Sequence, residues 1–191
     1  NKQLSPADID EAAPDIKKCS VIVLQLECSL ETVYYAVAFG AKHGIPVILN
    51  PAPAAQLDFK SIATVDFFAP NETELELISG MPVKDAESAG KAARALIDKG
   101  LKTVIVTLGS KGALYVSAKE TRLIPPFEVK PIDTTGAGDA FIGSFAYFYL
   151  KTKDVFLAMK QANCYAGLST TREGTQKSFY NGDEFKPYME K

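Results

Sequence analysis

Apolar and polar positions change rhythm repeatedly along this chain. Residues 21–27, "VIVLQLE", form an apolar run of strand length. Residues 29–44, "SLETVYYAVAFGAKHG", carry apolar positions at helical spacing, with Ser29 placed to cap the start and Gly44 to stop the end. Short apolar runs at 45–50 and 65–70 predict two more strands, the first cut off by Pro51. Helical patterns ending on glycine cover 71–80 and 85–100. Residues 102–109 and 112–118 read as strands, and 120–133 as extended chain turning at its prolines. Two helices follow at 136–151 and 153–171, then a short terminal segment at 183–191. The opening stretch, "NKQLSPADID", is a polar helix-start pattern.

Strand and helix alternate from about residue 20 to residue 110. That order predicts βαβ units: a three-layer α/β/α sandwich with a mainly parallel central sheet. No repeat or polar linker divides the chain, so residues 1–191 read as a single domain. The net charge is −2 with no block of like charges, which gives no electrostatic case for nucleic acid or an anionic membrane. The longest apolar runs are too short to span a bilayer, and the polar opening is not the pattern of a secretory leader. Cys19, Cys28 and Cys164 are odd in number and unrelated in spacing. Buried free thiols in a reducing cytosol are the expectation.

The candidate chemistry lies in "DTTGAGDAF", residues 133–141. In open parallel sheets, ligands bind where loops lead into helices. A helix N-terminus offers unpaired N–H groups and the positive end of a dipole, and small residues let the backbone approach an oxyanion. Gly136, Ala137 and Gly138 therefore read as an anion hole. Asp139, one turn in, would repel a phosphate that was only bound. Its placement makes sense if it takes a proton from an attacking hydroxyl. A plain strand-to-helix turn, with Asp139 favouring the dipole, is the alternative. GxxxxGK[ST] is absent, and Gly143 falls too late for GxGxxG, which argues against a P-loop NTPase or a nicotinamide dehydrogenase.

The whole nonapeptide resembles the C-terminal signature of the ribokinase-like (PfkB) carbohydrate kinases. "QLE" (25–27), "NPAPA" (50–54), "NETE" (71–74) and "TLGSKG" (107–112) agree in the order that family shows, and the resemblance covers essentially the whole chain. "QLE" with "NPAPA" is closer to the ribokinase branch than to fructokinases or adenosine kinases. The resemblance implies ATP-dependent phosphorylation of a pentose, D-ribose at its 5-hydroxyl, in the cytoplasm. It makes Asp139 the general base and residues 136–138 the cradle of the transferring phosphoryl group. A fructokinase-like acceptor is the nearest alternative.

The same resemblance places Asn71, Thr107, Gly109, Gly112 and Asn163 along the nucleotide, Glu74 on hydrated Mg²⁺, and Glu27 on the sugar hydroxyls. It assigns an activating K⁺ to Asp133, Thr135, Ser169, Arg172, Gly174 and Ser178, several through backbone carbonyls; oxygen donors suit such a hard cation. The residues alone leave simpler readings open. Asn71 and Glu74 form a capping box. "TLGSKG" is a glycine turn between strands, Asn163 is equally a solvent-facing polar residue, "TREGTQKS" (171–178) is a solvated loop, and Glu27 is a surface charge. His43, at a helix C-terminus, favours the dipole and is assigned no catalytic role.

Against the family pattern, Asn1 aligns with the middle of a member. The upstream portion, with a glycine-pair sugar motif, several sheet strands and the small β lid that often makes a homodimer, has no counterpart here. The chain therefore reads as the nucleotide half of a sugar kinase, or as a truncated nucleotide-binding protein without catalysis. An exposed sheet edge predicts self-association or pairing with the missing portion.

Overall fold

A computed structural model describes residues 1 and 3–189. The chain forms two compact units, Asn1–Val106 with Leu114–Arg122, and Thr107–Ala113 with Leu123–Lys191.

The first unit opens with α1 (Pro6–Glu11) and α2 (Ala13–Ile16), then β1 (Ile22–Leu24), α3 (Leu30–His43), β2 (Val47–Leu49), β3 (Phe67–Phe68), α4 (Glu72–Ser79), α5 (Ala86–Asp98) and β4 (Thr103–Thr107). β5 (Ala113–Ser117) and β6 (Thr121–Ile124) complete a six-stranded sheet in the order β1-β2-β3-β4-β5-β6. The ladders β1–β2, β2–β3 and β3–β4 are parallel, with Ile22 opposite Val47, Ile48 opposite Phe67 and Phe68 opposite Val104. β4, β5 and β6 follow one another through connections too short for a crossover, so they run antiparallel. The expected α/β fold with a mainly parallel sheet is what forms. All three residues of β2 are buried, as a strand covered on both faces requires.

Local chemistry sets the helix ends. Ser29 accepts the Thr32 N–H, and Gly44 closes α3 at φ 67. Asn71 and Glu74 cap α4 reciprocally, and Gly80 ends it. α5 packs Ala89, Ala92, Ala93 and Leu96 inward. Ile9, Ala36, Phe39 and Ile45 join α1 and α3 in a small core, with Tyr35 against it.

The strands are shorter than the apolar runs. β1 stops at Leu24 because the chain beyond it bonds elsewhere: the Leu26 N–H donates to the Ala52 carbonyl at 2.8 Å. Of the extended stretch 120–133, only Thr121–Ile124 pairs; Pro125 and Pro126 have no N–H to give a ladder. One further expectation is corrected. Cys164 is buried, but Cys28 is half-buried and Cys19 is exposed. His43 lies in the last turn of α3 as expected, and desolvation, with Lys17 and Lys42, pushes its imidazole below the usual range.

The second unit is built on α6 (Ala137–Thr152) and α7 (Val155–Ser169), which pack along each other. α6 buries Phe141, Ile142, Phe145 and Phe148; α7 buries Ala158, Met159 and Ala162. The expected terminal segment forms α8 (Gly182–Phe185) and a 3-10 turn at Lys186–Tyr188; residues 190–191 lie outside the described residues. No helix among the described residues is long and apolar enough to cross a membrane.

Candidate active site

In the second unit, the candidate anion hole is the start of α6. Gly136 is the N-cap at φ 79, a conformation that side-chain-bearing residues rarely adopt. A Cβ there would touch Thr175 at 3.4 Å, so loop 171–178 lies against this turn. The Ala137 N–H is taken by the Thr134 carbonyl at 3.2 Å. Gly138 holds the second helical position, where an α-helix supplies no internal acceptor for the N–H. Asp139 follows in the first turn, exposed, at the positive end of the helix. With Gly143 and Tyr147, one and two turns on, it lines an open groove of about 300 Å³ that also takes in Tyr165, Tyr180 and Asn181.

The residues expected around a monovalent cation are partly drawn together. Asp133 accepts the Thr135 N–H on Oδ1 and the Gly174 N–H on Oδ2, each at 2.9 Å. A hydrogen bond from the Thr135 side chain first, then these two N–H bonds, hold its carboxyl down to about 2. The Thr170 carbonyl receives the N–H groups of both Ile132 and Asp133, which ties the end of α7 to the motif. Ser178 is fully buried, its hydroxyl donating to the Thr175 carbonyl at 2.6 Å. Ser169, also buried, donates to Ala166 within α7. Within the loop, residues 173–177 are exposed, as a solvated loop requires, while Ser178 anchors its end. The Arg172 side chain turns away from the group: its guanidinium lies 3.7 Å from the Tyr180 ring centre and pairs with Glu184 at 2.9 Å. Only the backbone carbonyl of Arg172 could face a cation. The remaining donors are oxygens, and that set fits a hard monovalent ion.

Of the nucleotide residues expected in this unit, Gly112 and Asn163 meet on one stretch of backbone. Thr107 ends β4, and Gly109–Lys111 make a 3-10 turn with Gly109 at φ 54. Gly112 has φ 94 and ψ −139 and sits against the Ile124–Pro126 backbone. Asn163 is buried and donates its amide to the carbonyls of Ile124 at 3.1 Å and Pro125 at 2.8 Å. The solvent-facing reading of Asn163 is thus wrong. Its amide holds the backbone that Gly112 touches.

In the first unit, polar side chains meet at the C-terminal ends of adjacent parallel strands. Gln25, just past β1, donates to Asn50 Oδ1 at 3.0 Å. Asn50, just past β2, donates to the Ala69 carbonyl at 2.9 Å and reaches Glu74 Oε2 at 3.5 Å. Glu74 Oε2 also accepts the Asn71 N–H at 2.9 Å. Burial nonetheless pushes the Glu74 carboxyl above its usual range, with the Asn71 and Asn50 bonds opposing that shift. Among the described residues no group of three or more His, Cys, Asp or Glu is placed to hold a metal ion. A single carboxylate suits Mg²⁺, which keeps most of its waters and takes its other oxygens from a phosphate. Glu27 is exposed, three residues beyond β1, and accepts the Asn1 side-chain amide at 3.0 Å. Gln25 and Asn50 were not assigned roles from the sequence; their positions directly after strands were the available signal.

The sequence pattern of the pfkB family carbohydrate kinases matches residues 3–181. A deoxyribokinase of Salmonella typhimurium is 54% identical over 190 residues, covering 99% of this chain and 62% of the relative. A ribokinase of Haemophilus influenzae is 37% identical over 190 residues, covering 100% of this chain and again 62% of the relative. The structure of Arabidopsis thaliana ribokinase complexed with ribose and ATP superimposes with a TM-score of 0.90 at 26% identity, over 95% of this chain and 59% of that one. The chain thus spans about three-fifths of the length of the relatives it matches. With the signature motif at the head of α6 and the matching pattern from end to end, the chain belongs to the pfkB family of carbohydrate kinases.

Proposed function

We propose that this chain is the nucleotide-side portion of a pentose kinase that phosphorylates D-ribose or 2-deoxy-D-ribose at the 5-hydroxyl with ATP. One observation carries the reading: Asp139 stands in the first turn of a helix whose Gly136 cap follows the Asp133–Thr135 turn and lies against Thr175, with Asp133 bonded to Gly174 of the same loop. Asp139 accepts the proton of the sugar hydroxyl as that oxygen attacks the γ-phosphorus. The new O–P bond forms as the bond to the ADP oxygen breaks. The α6 N-terminus and the Gly138 N–H stabilise charge on the transferring group, and such fixed donors are worth about 3 kcal/mol each. Thr107, Gly109, Gly112 and Asn71 border the nucleotide. Mg²⁺, held through Glu74, would neutralise phosphate charge. K⁺, held by the oxygens of Asp133, Thr135, Ser169, Arg172, Gly174 and Ser178, would stiffen the turn beneath the anion hole. The two units are read as parts of one kinase domain, acting in the cytoplasm where ATP is available.

Two acceptors are named because two observations favour them. The 54%-identical relative is a deoxyribokinase, and the structure with TM-score 0.90 is a ribokinase complexed with ribose. The test is ADP formation from ATP, Mg²⁺ and K⁺, with each sugar and with none. It is run on this chain and on the chain completed by the upstream portion of the Salmonella deoxyribokinase. Sugar-dependent turnover is expected in the completed protein, falling by a factor of about 10²–10⁴ in Asp139→Asn. Undiminished turnover in that variant would remove Asp139 from the reaction. Nucleotide binding without sugar-dependent turnover in either protein would favour a non-catalytic nucleotide-binding role.

A further inference from the structure

Loop 171–178 touches the anion-hole turn on one side and the C-terminal segment on the other. Toward the turn, the Gly174 N–H donates to Asp133, and Thr175 lies 3.4 Å from the position a Gly136 Cβ would take. Toward the C-terminal segment, Arg172 pairs with Glu184 and covers the Tyr180 ring, and the Thr171 and Tyr180 hydroxyls lie 3.3 Å apart. The segment holding these partners is itself fixed. Tyr165 on α7 donates to the Tyr180 carbonyl at 2.8 Å, and Asn181 caps α8. Glu184 divides its two oxygens, Oε2 accepting the Asn181 N–H and Oε1 the Arg172 guanidinium. Arg172 thus joins a rigid anchor to a loop that, apart from the short 3-10 turn at Gln176–Ser178, has no regular structure of its own.

We propose that the Arg172 side chain is a positioning residue for phosphoryl transfer. Its clasp on Tyr180 and Glu184 holds loop 171–178 against Asp133 and Gly136, and so fixes the turn from which Gly138 and Asp139 project. This rests on the kinase reading for its effect on turnover, but not for its effect on the turn. A guanidinium is suited to the task because it stacks flat on an aromatic ring while its edge pairs with a carboxylate; lysine cannot do both. The clasp acts on the Asp133–Gly174 bond, so its loss should appear as a weaker response to the monovalent cation rather than as weaker binding of ATP.

The first test is amide hydrogen exchange of this chain and of its Arg172→Ala, Arg172→Lys and Glu184→Gln variants. Glutamine can keep its one carbonyl oxygen on the Asn181 N–H, while its amide NH₂ replaces the acceptor that Arg172 donates to and the charge is lost. Exchange at Gly174 and Thr135 should quicken by about five- to tenfold in Arg172→Ala, less in Glu184→Gln, with Arg172→Lys failing to restore it. The α5 helix of the first unit should be unaffected in all three. Unchanged exchange at Gly174 and Thr135 would overturn the proposal whatever the enzyme's activity. The second test uses the completed kinase. Arg172→Ala should raise the K⁺ concentration for half-maximal activity and lower kcat by about fivefold each, with KM for ATP unchanged. A rise in KM for ATP alone would assign Arg172 to nucleotide binding instead. If the wild-type kinase shows no sugar-dependent turnover, the kinase reading fails and the exchange result still decides the clasp.

Discussion

Replacing Gly112 by alanine tests a close approach of two backbone segments in the second unit. The residue has φ 94 and ψ −139, a region that non-glycine residues enter at a cost of about 1–3 kcal/mol. Space is the larger obstacle. A Cβ at Gly112 would overlap the Ile124 carbonyl oxygen and lie 2.8 Å from the Pro126 nitrogen and 2.9 Å from the Pro125 carbonyl carbon. All three are backbone atoms, so no rotamer change relieves the clash, and overpacking of this kind adds about 1–3 kcal/mol. Moving the backbone is costly too, because Asn163 donates to the Ile124 and Pro125 carbonyls from inside α7. The sum, about 2–6 kcal/mol, corresponds to a melting temperature lower by about 4–24 °C for a chain of this size. Gly109→Ala is the control. Gly109 also has positive φ, at 54, but a Cβ there meets nothing within 4 Å, so only the backbone term of about 1–2 kcal/mol applies. Thermal unfolding of the wild type and the two variants separates the terms. Equal destabilisation by both substitutions would refute the claim that close approach, rather than backbone conformation, fixes glycine at 112.

Two predictions turn on carboxyl groups. Glu74 has a folded-state pKa raised above 4.5 by burial, so its contribution to stability is present at lower pH and is lost as pH rises through that raised value. Glu74→Gln keeps the capping box, and at neutral pH it should leave the chain at least as stable in denaturant while weakening Mg²⁺-dependent ADP binding by calorimetry; a less stable variant with unchanged Mg²⁺ dependence would contradict both expectations. Asp133 is shifted the other way, from 3.8 to about 2, so its contribution is complete above the unfolded value and disappears as pH falls between the two. Denaturant midpoints at about pH 5 and about pH 2.5 should therefore differ more for wild type than for Asp133→Asn, and parallel behaviour would show that the Thr135 and Gly174 bonds do not hold that carboxylate.

The sequence was most readable where the physics is local. α3 runs from its Ser29 cap to Gly44 and α4 from Asn71 to Gly80, as the residues at those positions require. Strand lengths were overestimated because hydrophobicity reports burial rather than pairing. Leu26, Val65 and Ala69 are all buried, yet none belongs to a strand. The motif was legible as a glycine-led helix start with a carboxylate in its first turn, a placement that the helix dipole alone also favours. What holds it was not. The Asp133–Gly174 bond spans 41 positions, the Asn163–Ile124 bond 39 and the Gln25–Asn50 bond 25. A single hydrogen bond between distant residues leaves no periodicity to find. Asn163 shows the consequence. A polar residue on a helix, judged by its neighbours in sequence, is as easily solvated as buried. Its burial follows from two carbonyls beside Pro125 and Pro126, residues whose lack of N–H ends the strand and leaves backbone oxygens in need of a donor. The proline pair and the asparagine are complementary, and that complementarity exists only once the fold has brought α7 against the end of β6.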